Sequence, residues 1–557
     1  MLVVGRRAAI LSSVALAAIV APAGVAAAQS APASLTAPAR DGAEPGAAGD
    51  GEIVVTGSRI VRDGFDAPTP VTVLGAAELD ARSDTNVADA LNLLPQINTS
   101  VTQASQPTAI SGGAIGVNLL NLRGLGPTRT LVLQDGKRII NTSFNTAAAA
   151  PDINHIPQAL IRRVDVVTGG ASAVYGSDAL AGVVNFVLDR DFTGLKGEAI
   201  GGISTYGDNG SYDLSLSAGT KFGADGRGHL LLSGQVAGND GVGGNNRPWN
   251  PGGGAIFVNP GYAAGNGQPF YLVGDRIGAS NATPGGLITA GPLRGTYFGQ
   301  GGTVGSFEFG TVSTNNAMQG GDWQLSRLDN VFDLVARDRR HVLFGRASYE
   351  VADALTLYVE GQWSRSADST RTLPYRRHGN LAIRADNAFL PQSVQQRLAA
   401  AGQTGFTLGT LTGDIGPIEV RNTRELTRWA VGGDGRFDIA GGSWRWDAYY
   451  QRSRNEIESS AGNNVIVARF LQAVDAVRGP SGAIVCRSTL TNPADGCVPF
   501  NVFGVGVNDP AAVNYVTGRA IRNDVLEQNV AAANLTGSPF STWAGPVSIA
   551  VGVEHRY

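Results

Sequence analysis

The chain contains few residue patterns that could support catalysis, and each of them is incomplete. Residues 170–174 (Gly-Ala-Ser-Ala-Val) resemble the turn that presents a nucleophilic serine, but they lack its last glycine. Residues 189–194 begin like a calcium loop without the third acidic ligand and the distal glutamate. The sequence has no Walker-type phosphate loop. We therefore expect no enzymatic activity and no bound cofactor.

The N-terminus has the order of a secretory signal peptide. Arg6 and Arg7 precede an apolar run from Ala8 to Val20, and three alanines at 26–28 offer a small-residue cleavage site. The alternative is a membrane anchor, but the run is short for a span of about 20 residues. We expect a signal peptide at 1–28 and an exported mature protein. The net charge of −3 provides no basic field for nucleic acid.

The two cysteines, Cys486 and Cys497, are predicted to pair. An exported protein meets an oxidising compartment, where a disulfide is the default state. A metal site would require more ligands nearby, and the five histidines are scattered along the sequence. We expect a disulfide that closes a loop and no metal site.

A short β-prone run lies within a stretch that is otherwise typical of a flexible linker. Residues 29–50 are rich in Ala, Pro and Gly and cannot bury enough apolar surface to fold. The run that follows is Glu52, Ile53, Val54, Val55, Thr56 and Gly57. It is either a docking strand for the sheet edge of another protein or the first strand of the next domain. The residues alone favour neither alternative.

Residues 65–190 mix strand and helix patterns and predict a small α+β domain. A strand is expected at 70–74, followed by a helix that Asn86 caps and that extends to Leu94. Further strands are expected at 129–133, before the turn Gln134-Asp135-Gly136-Lys137, and at 164–167 and 183–188.

From residue 195 to 557 the pattern changes to segments of about ten residues that alternate between apolar and polar. In the clearest segment, Leu355, Leu357, Val359 and Trp363 share one face, and Thr356, Tyr358, Glu360 and Gln362 share the other. Long Gly/Asn/Pro-rich stretches separate the segments, the longest at about 238–320. A soluble β-sandwich would need a turn every 8–12 residues. The sequence therefore favours a mainly β fold, a transmembrane antiparallel β-barrel.

With these pieces in order, the chain resembles a TonB-dependent outer-membrane receptor. Residues 52–57 resemble the TonB box, and 122–126 (Leu-Arg-Gly-Leu-Gly) and 133–138 (Leu-Gln-Asp-Gly-Lys-Arg) resemble segments of the plug domain. The most recognisable plug stretch is matched by 161–167 and 169–179, and 181–186 completes it. Each motif alone is modest, but their order after a signal peptide and before a barrel pattern is specific.

The resemblance implies an importer of a scarce nutrient in the outer membrane of a Gram-negative cell. The partners would be TonB with its inner-membrane energising complex, outer-membrane lipid and an extracellular small ligand, and the receptor would be a monomer. Arg123, beside Gly124, is expected to lock the plug by pairing with an inward carboxylate such as Glu360. Gly176 is expected to allow a tight turn close to the barrel wall.

The family's barrel has 22 strands, and this sequence provides roughly a dozen alternating segments. We expect an incomplete barrel, and a truncated, non-assembling receptor is one interpretation of the chain. A passive or structural barrel is the other alternative to active transport. The sequence does not identify the ligand: a ferric siderophore, a cobalamin-like cofactor and an oligosaccharide or other organic nutrient all remain open.

Overall fold

The computed structural model describes residues 70–105, 113–143, 149–169, 171–244, 247–312, 316–327, 332–352, 354–439, 442–543 and 545–557. The predicted signal peptide at 1–28, the linker at 29–64 and the box at 52–57 lie outside these residues.

The N-terminal domain is the predicted α+β unit. Its strands are β1 (Val71–Gly75), β2 (Thr130–Gln134), β3 (Lys137–Arg138), β4 (Ile161–Thr168) and β5 (Gly182–Leu188). Its helices are α1 (Ala76–Arg82), α2 (Val87–Leu91) and α3 (Ser172–Tyr175). The sheet order is β1-β4-β5-β2-β3, and β2 and β5 are parallel while the other pairs are antiparallel.

The predicted helix cap is present, but the helix is shorter than predicted. The Asn86 side chain accepts a hydrogen bond from the Ala88 N–H at 3.0 Å, and Ala88 and Leu91 are buried in the domain core. The helix ends at Leu91, where the Asn92 side chain donates to the Ala88 carbonyl at 2.8 Å. Leu94 packs against the same core from the turn that follows.

The remainder of the chain forms long strands joined by three long connections. The first long strands are β6 (Gly194–Gly202), β7 (Ser211–Phe222) and β8 (Gly228–Asn239). The first long connection, 240–336, contains β9 (Val242–Gly243), β10 (Ala255–Val258), β11 (Tyr271–Gly274), β12 (Ile277–Ala279), β13 (Leu287–Ile288), β14 (Thr296–Phe298), β15 (Val304–Ser306), β16 (Phe309–Val312), β17 (Ala317–Gly321) and β18 (Asp333–Val335). Next come β19 (Arg337–Ala352) and β20 (Leu355–Pro374).

The other two connections carry the remaining helices. The second, 375–416, contains β21 (Arg377–Arg384), α4 (Gln392–Ala400) and β22 (Gly405–Thr410), and β23 (Pro417–Ile439) and β24 (Gly442–Val465) follow it. The third, 466–516, contains α5 (Val467–Val474), β25 (Ala476–Arg478), β26 (Ile484–Cys486) and α6 (Pro510–Val516), and it leads to β27 (Thr517–Thr542) and β28 (Gly545–Arg556). None of the helices in the described ranges combines the length and apolar character needed to cross a membrane.

Nine long strands form one antiparallel sheet, in the order β28-β27-β24-β23-β20-β19-β8-β7-β6. Short turns join strands on one side of this sheet, and the three long connections lie on the other side. Nine long strands are fewer than the dozen alternating segments expected, and the other strands of this part of the chain are short and lie within the connections. Among the described residues, β6 and β28 are the two edges and do not pair with each other.

The long sheet buries polar side chains and exposes apolar ones, which is the reverse of the pattern in a soluble protein. On β20 the buried positions alternate with exposed ones, and the buried side chains are mostly polar: Tyr358, Glu360, Gln362, Ser364, Ser366, Asp368, Thr370 and Thr372. The exposed side chains include Leu357 and Val359. Strand pairing continues this exposed apolar face through Val431, Tyr450 and Ala531 on the next three strands. This arrangement confirms the predicted barrel-type sheet and excludes a soluble sandwich.

Aromatic residues border the exposed apolar face at both ends. Trp429 and Tyr450 pack together at 5.5 Å between ring centroids, at the edge of the apolar face that points toward the long connections. Phe222 and Tyr349 lie 6.4 Å apart beside the short turns. Two aromatic borders around an apolar band are typical of a sheet that faces lipid.

The three long connections pack into one body with its own hydrophobic core. Ile288 and Phe298 come from the first connection, and Leu408 from the second. Phe470 and Phe503 come from the third. Asp414 of the second connection also accepts hydrogen bonds from the N–H groups of residues 506, 507 and 508 in the third. The connections therefore hold one another in place.

Candidate functional site

The N-terminal domain covers the polar, buried face of the long sheet, and their interface is the candidate functional site. The turn between β2 and β3 of this domain carries one set of the residues that contact the long sheet. Asp135 and Gly136 form this turn with φ of 51° and 74°, and the Asp135 carboxylate accepts a hydrogen bond from the Leu188 N–H at 2.9 Å. The turn is therefore fixed to β5 and directs the side chain of Lys137 toward the sheet.

Lys137 belongs to a group of five residues that we call the lower seat: Lys137, Tyr358, Glu360, Arg428 and Tyr449. The Lys137 ammonium lies 3.1 Å from the Glu360 carboxylate, which Arg428 also contacts at 3.1 Å. The same ammonium lies 4.9 Å and 5.7 Å from the ring centroids of Tyr358 and Tyr449. Burial lowers the pKa of Lys137, and the Glu360 carboxylate opposes that shift. One carboxylate therefore serves two buried cations.

Arg138 extends this contact to the last strand of the sheet. Its guanidinium binds Glu554 of β28 at 2.7 Å and Asp178 of its own domain at 3.0 Å. Arg556 of β28 binds the same Asp178 at 2.8 Å. The Arg138 carbonyl accepts a hydrogen bond from the Gln451 side chain at 2.8 Å. Neighbouring residues of one turn are thus tied to β20, β24 and β28.

A second contact, which we call the upper seat, lies toward the long connections and consists of Gly113, Ile115, Gly116, Asp368 and Arg424. Arg424 is fully buried, and its guanidinium binds Asp368 at 2.5 Å. The same guanidinium donates to the carbonyls of Gly113 and Ile115 at 3.0 and 2.8 Å. A strand arginine therefore grips the main chain of the N-terminal domain directly.

Gly116 allows the domain to approach the sheet closely, and its replacement provides a test of the upper seat. A Cβ atom at Gly116 (φ +76°) would overlap the Asp368 side chain, whereas a Cβ at Gly136 (φ +74°) would meet nothing within 4 Å. Gly136→Ala should cost only the backbone strain, about 1–2 kcal/mol. Gly116→Ala should cost about 1–3 kcal/mol more, because Asp368 must move.

The measurement for these two variants is the free energy of opening of the N-terminal domain by hydrogen exchange in detergent. The two glycines have nearly the same φ, so the difference between the variants reports the contact with the sheet. Equal losses of protection in both variants would contradict a close contact at Gly116.

A buried histidine lies between the two seats. His155 Nδ1 is 2.8 Å from the Ser364 hydroxyl of β20, and the Gln362 side chain donates to the His155 carbonyl. Burial lowers the pKa of His155, while Asp152 opposes the shift. The imidazole is therefore neutral at pH 7, where it forms a hydrogen bond with the sheet and contributes no charge.

The predicted partner of Arg123 was wrong. Arg123 is exposed in a turn with φ 57°, and its guanidinium lies beside Gly169 of its own domain. Glu360 is instead occupied by Lys137 and Arg428. The sequence could have indicated the true residues through the Asp135-Gly136 turn, because Lys137 and Arg138 follow it and pair with the buried strand β2.

Gly124 and Gly176 have the backbone conformations expected of turn glycines, with φ of 67° and 83°. Neither lies against the sheet: a Cβ at Gly124 would approach the Asn98 side chain, and one at Gly176 would meet nothing within 4 Å. The glycine that approaches the sheet is Gly116, which sequence reasoning did not single out. The turn at Gly176 follows α3, where the Tyr175 carbonyl accepts from Arg138 at 2.6 Å.

Two further groups of residues bear on the chemistry of the chain. Cys486 and Cys497 form a disulfide within the third connection, with 6.1 Å between their Cα atoms. In the part of the chain that the structure describes, no group of three or more His, Cys, Asp or Glu residues could hold a metal ion.

Comparison with known proteins identifies the N-terminal domain. Residues 63–183 match the family model described as the TonB-dependent receptor plug domain. The fold is also similar to an enterobactin-bound variant of the ferric enterobactin receptor of Pseudomonas aeruginosa, with 12% identity, 88% of this chain and 58% of that chain covered, and a TM-score of 0.38.

Two other solved structures have similar values. FpvA of P. aeruginosa bound to heterologous pyoverdines has 11% identity, 90% and 53% coverage and a TM-score of 0.41. The siderophore receptor PiuA of Acinetobacter baumannii has 13% identity, 88% and 61% coverage and a TM-score of 0.35. The chain thus spans a little over half the length of the solved structures that it matches.

Proposed function

We propose that this chain, whose residues 63–183 are a plug domain of the TonB-dependent receptor kind, acts in energised import of a scarce nutrient across the outer membrane. The observation that carries the proposal is a sheet that exposes its apolar face and packs its polar face against a plug. The exposed face of the sheet is apolar and suits lipid, and the buried polar face is filled by the plug. A passive pore requires an open path, whereas the polar face of this sheet is covered by the plug.

The seats suggest how the plug stays closed until work is done on it. Buried ion pairs are expensive to break one partner at a time, since each break leaves an uncompensated charge. Thermal motion therefore rarely opens the lower seat or the upper seat. Mechanical force applied at the N-terminal end of the plug could move both partners of a pair into water, where each ion is solvated.

The partner that supplies this force would be TonB with its inner-membrane energising complex. The box at Glu52–Gly57 lies outside the described residues and remains a prediction. TonB would pair with it by strand addition, with main-chain hydrogen bonds for grip and Ile53 and Val55 for specificity. The receptor would work as a monomer surrounded by outer-membrane lipid, and its ligand would enter from the long-connection side.

The experiment that tests this proposal is binding of the purified protein to the periplasmic domain of TonB. Ile53→Pro should weaken binding by at least about tenfold, because proline removes a main-chain donor and resists the strand conformation. Ile60→Pro, in the same linker but beyond the box, is the matched control and should bind like the unaltered protein. Equal binding by all three proteins would contradict the proposed role of the box.

The class of ligand is the more specific part of the proposal, and it is tested separately. Ferric siderophores, cobalamin-like cofactors and oligosaccharides or other organic nutrients are all compatible with a polar interior that combines Tyr358 and Tyr449 with buried charges. Abundance of the protein in outer membranes of iron-starved and iron-replete cells would separate the siderophore class from the others. A rise on starvation would support siderophore import, and constant abundance would argue against it.

A further inference from the structure

The hairpin of β10 and β11, in the first long connection, exposes an unusual set of side chains. Tyr262, Phe270 and Tyr271 are 41%, 45% and 61% exposed. Their rings contact each other in sequence, with centroids 5.0 Å apart between Tyr262 and Phe270 and 4.7 Å apart between Phe270 and Tyr271. Three contiguous exposed rings on a surface loop lose the stabilisation of burial, and such patches usually mark a binding site.

The loop that carries the rings is held in one conformation by its own side-chain amides. Asn259 donates to the Pro269 carbonyl at 2.9 Å and accepts from the Gly261 N–H at 2.9 Å. Asn266 donates to the Gly261 carbonyl at 2.8 Å and accepts from the Gln268 N–H at 3.1 Å. The rings are therefore presented by a preorganised loop, and a ligand would lose little affinity to ordering it.

The charge pattern limits what could bind. Residues 248–274 contain no Asp, Glu, Lys, Arg or His, although Arg247 precedes them and Asp275 and Arg276 follow. An anionic ligand, such as a ferric chelate with free carboxylates or a lipid phosphate, would find no cation among these residues. Protein partners are usually steered and oriented by charged residues around the contact, and the hairpin has none to offer.

We propose that the ring cluster Tyr262, Phe270 and Tyr271 is a surface site for neutral carbohydrate chains. Sugar rings present flat faces of C–H groups that pack on aromatic rings, and their hydroxyls suit neutral polar groups. Within the described part of the chain, no hydrogen bond occupies the hydroxyl of Tyr262 or Tyr271, and the exposed Gln268 lies two residues before Phe270. The site would hold a glycan at the surface, separately from transport through the sheet.

The test uses the full-length protein in detergent and two neutral glucose oligomers, cellohexaose and maltohexaose, in calorimetric titrations. At least one of them should bind with saturation, and Tyr271→Ala should weaken that binding about tenfold. Tyr206→Ala, which removes an exposed tyrosine in the connection between β6 and β7, is the control and should leave binding unchanged. Phe270→Ala provides a second variant, should Tyr271→Ala disturb the hairpin.

Several results would overturn the proposal. The first is that neither oligomer binds. The second is that the Tyr271→Ala and Phe270→Ala variants both bind as tightly as the unaltered protein. The third is that an anionic galacturonic acid oligomer binds as tightly as the neutral ones. Binding of the same hairpin to phosphatidylcholine vesicles, lost in Tyr271→Ala while sugars do not bind, would assign the rings to lipid instead. None of these outcomes depends on TonB, so the proposed transport function stands or falls separately.

Discussion

Glu360→Gln is expected to lower the free energy of plug opening more than any other single substitution in the lower seat. The carboxylate lies between the cations of Lys137 and Arg428, and all three side chains are at most 4% exposed. Glutamine keeps the shape but removes the negative charge, so two buried cations face each other without compensation. Removing one partner of a buried ion pair typically costs about 3–5 kcal/mol.

Hydrogen exchange of the β2 and β3 amides in the purified protein measures this effect. A loss of about 3–5 kcal/mol corresponds to a fall in protection of about two to four orders of magnitude if these amides exchange through opening of the plug. Glu425→Gln is the matched control. Glu425 is exposed on the outer face of β23, where it accepts from the Trp363 indole at 3.1 Å, and solvent screens its charge. Similar protection in both variants would show that Glu360 does not hold the plug.

The sequence was sufficient for the parts of the fold that depend on local patterns. The alternation around Leu357 and Val359 identified the two faces of β20, and both faces are as predicted. The strands near Val132 and Val184 could be recognised because buried strands are continuous apolar runs. The short strands within 240–336 were not predicted, because they lie in a stretch rich in Gly, Asn and Pro and their pairing depends on residues far apart in the chain.

The contacts between plug and sheet were harder to predict for a physical reason. Lys137 and Arg424 are charged, and charged side chains in an isolated sequence are expected to face water. Their burial depends on partners 223 and 56 residues away, Glu360 and Asp368, which only the folded chain brings close. Arg123 had a recognisable motif around it, but a motif marks the domain and does not specify which side chain points to the wall.

The packing of the three long connections was also hard to predict, because it too depends on residues far apart in the chain. Phe298 and Phe503 lie 5.0 Å apart between ring centroids, although the first belongs to the first connection and the second to the third. The sequence showed only that Gly/Asn/Pro-rich stretches separate the alternating segments, because no local period links these stretches to one another. The shared core arises from scattered apolar residues such as Leu408 and Phe470, and its existence follows from the folded arrangement alone.

Arg424→Met should disrupt the upper seat as strongly as Glu360→Gln disrupts the lower one. The change leaves Asp368 buried without its cation and removes the donors to the carbonyls of Gly113 and Ile115. We expect a cost of about 3–5 kcal/mol, measured by hydrogen exchange of residues 113–122. Arg421→Met is the control, since Arg421 is exposed on the same strand with Glu419 at 3.6 Å. Comparable exchange in the two variants would rule out a seat at Arg424.

The double variant Glu360→Gln, Arg424→Met then tests whether the two seats act separately. Glu360 and Asp368 lie on one strand, eight residues apart by number, which corresponds to about 26 Å along β20. Sites so distant and without a shared partner should add within about 0.5 kcal/mol. Additive losses would mean that the two seats stabilise the closed plug without energetic coupling, so a ligand arriving from the long-connection side can weaken the upper seat without weakening the lower one. A large departure from additivity would mean that the seats are coupled, and ligand binding at the upper seat would then also change the stability of the lower one.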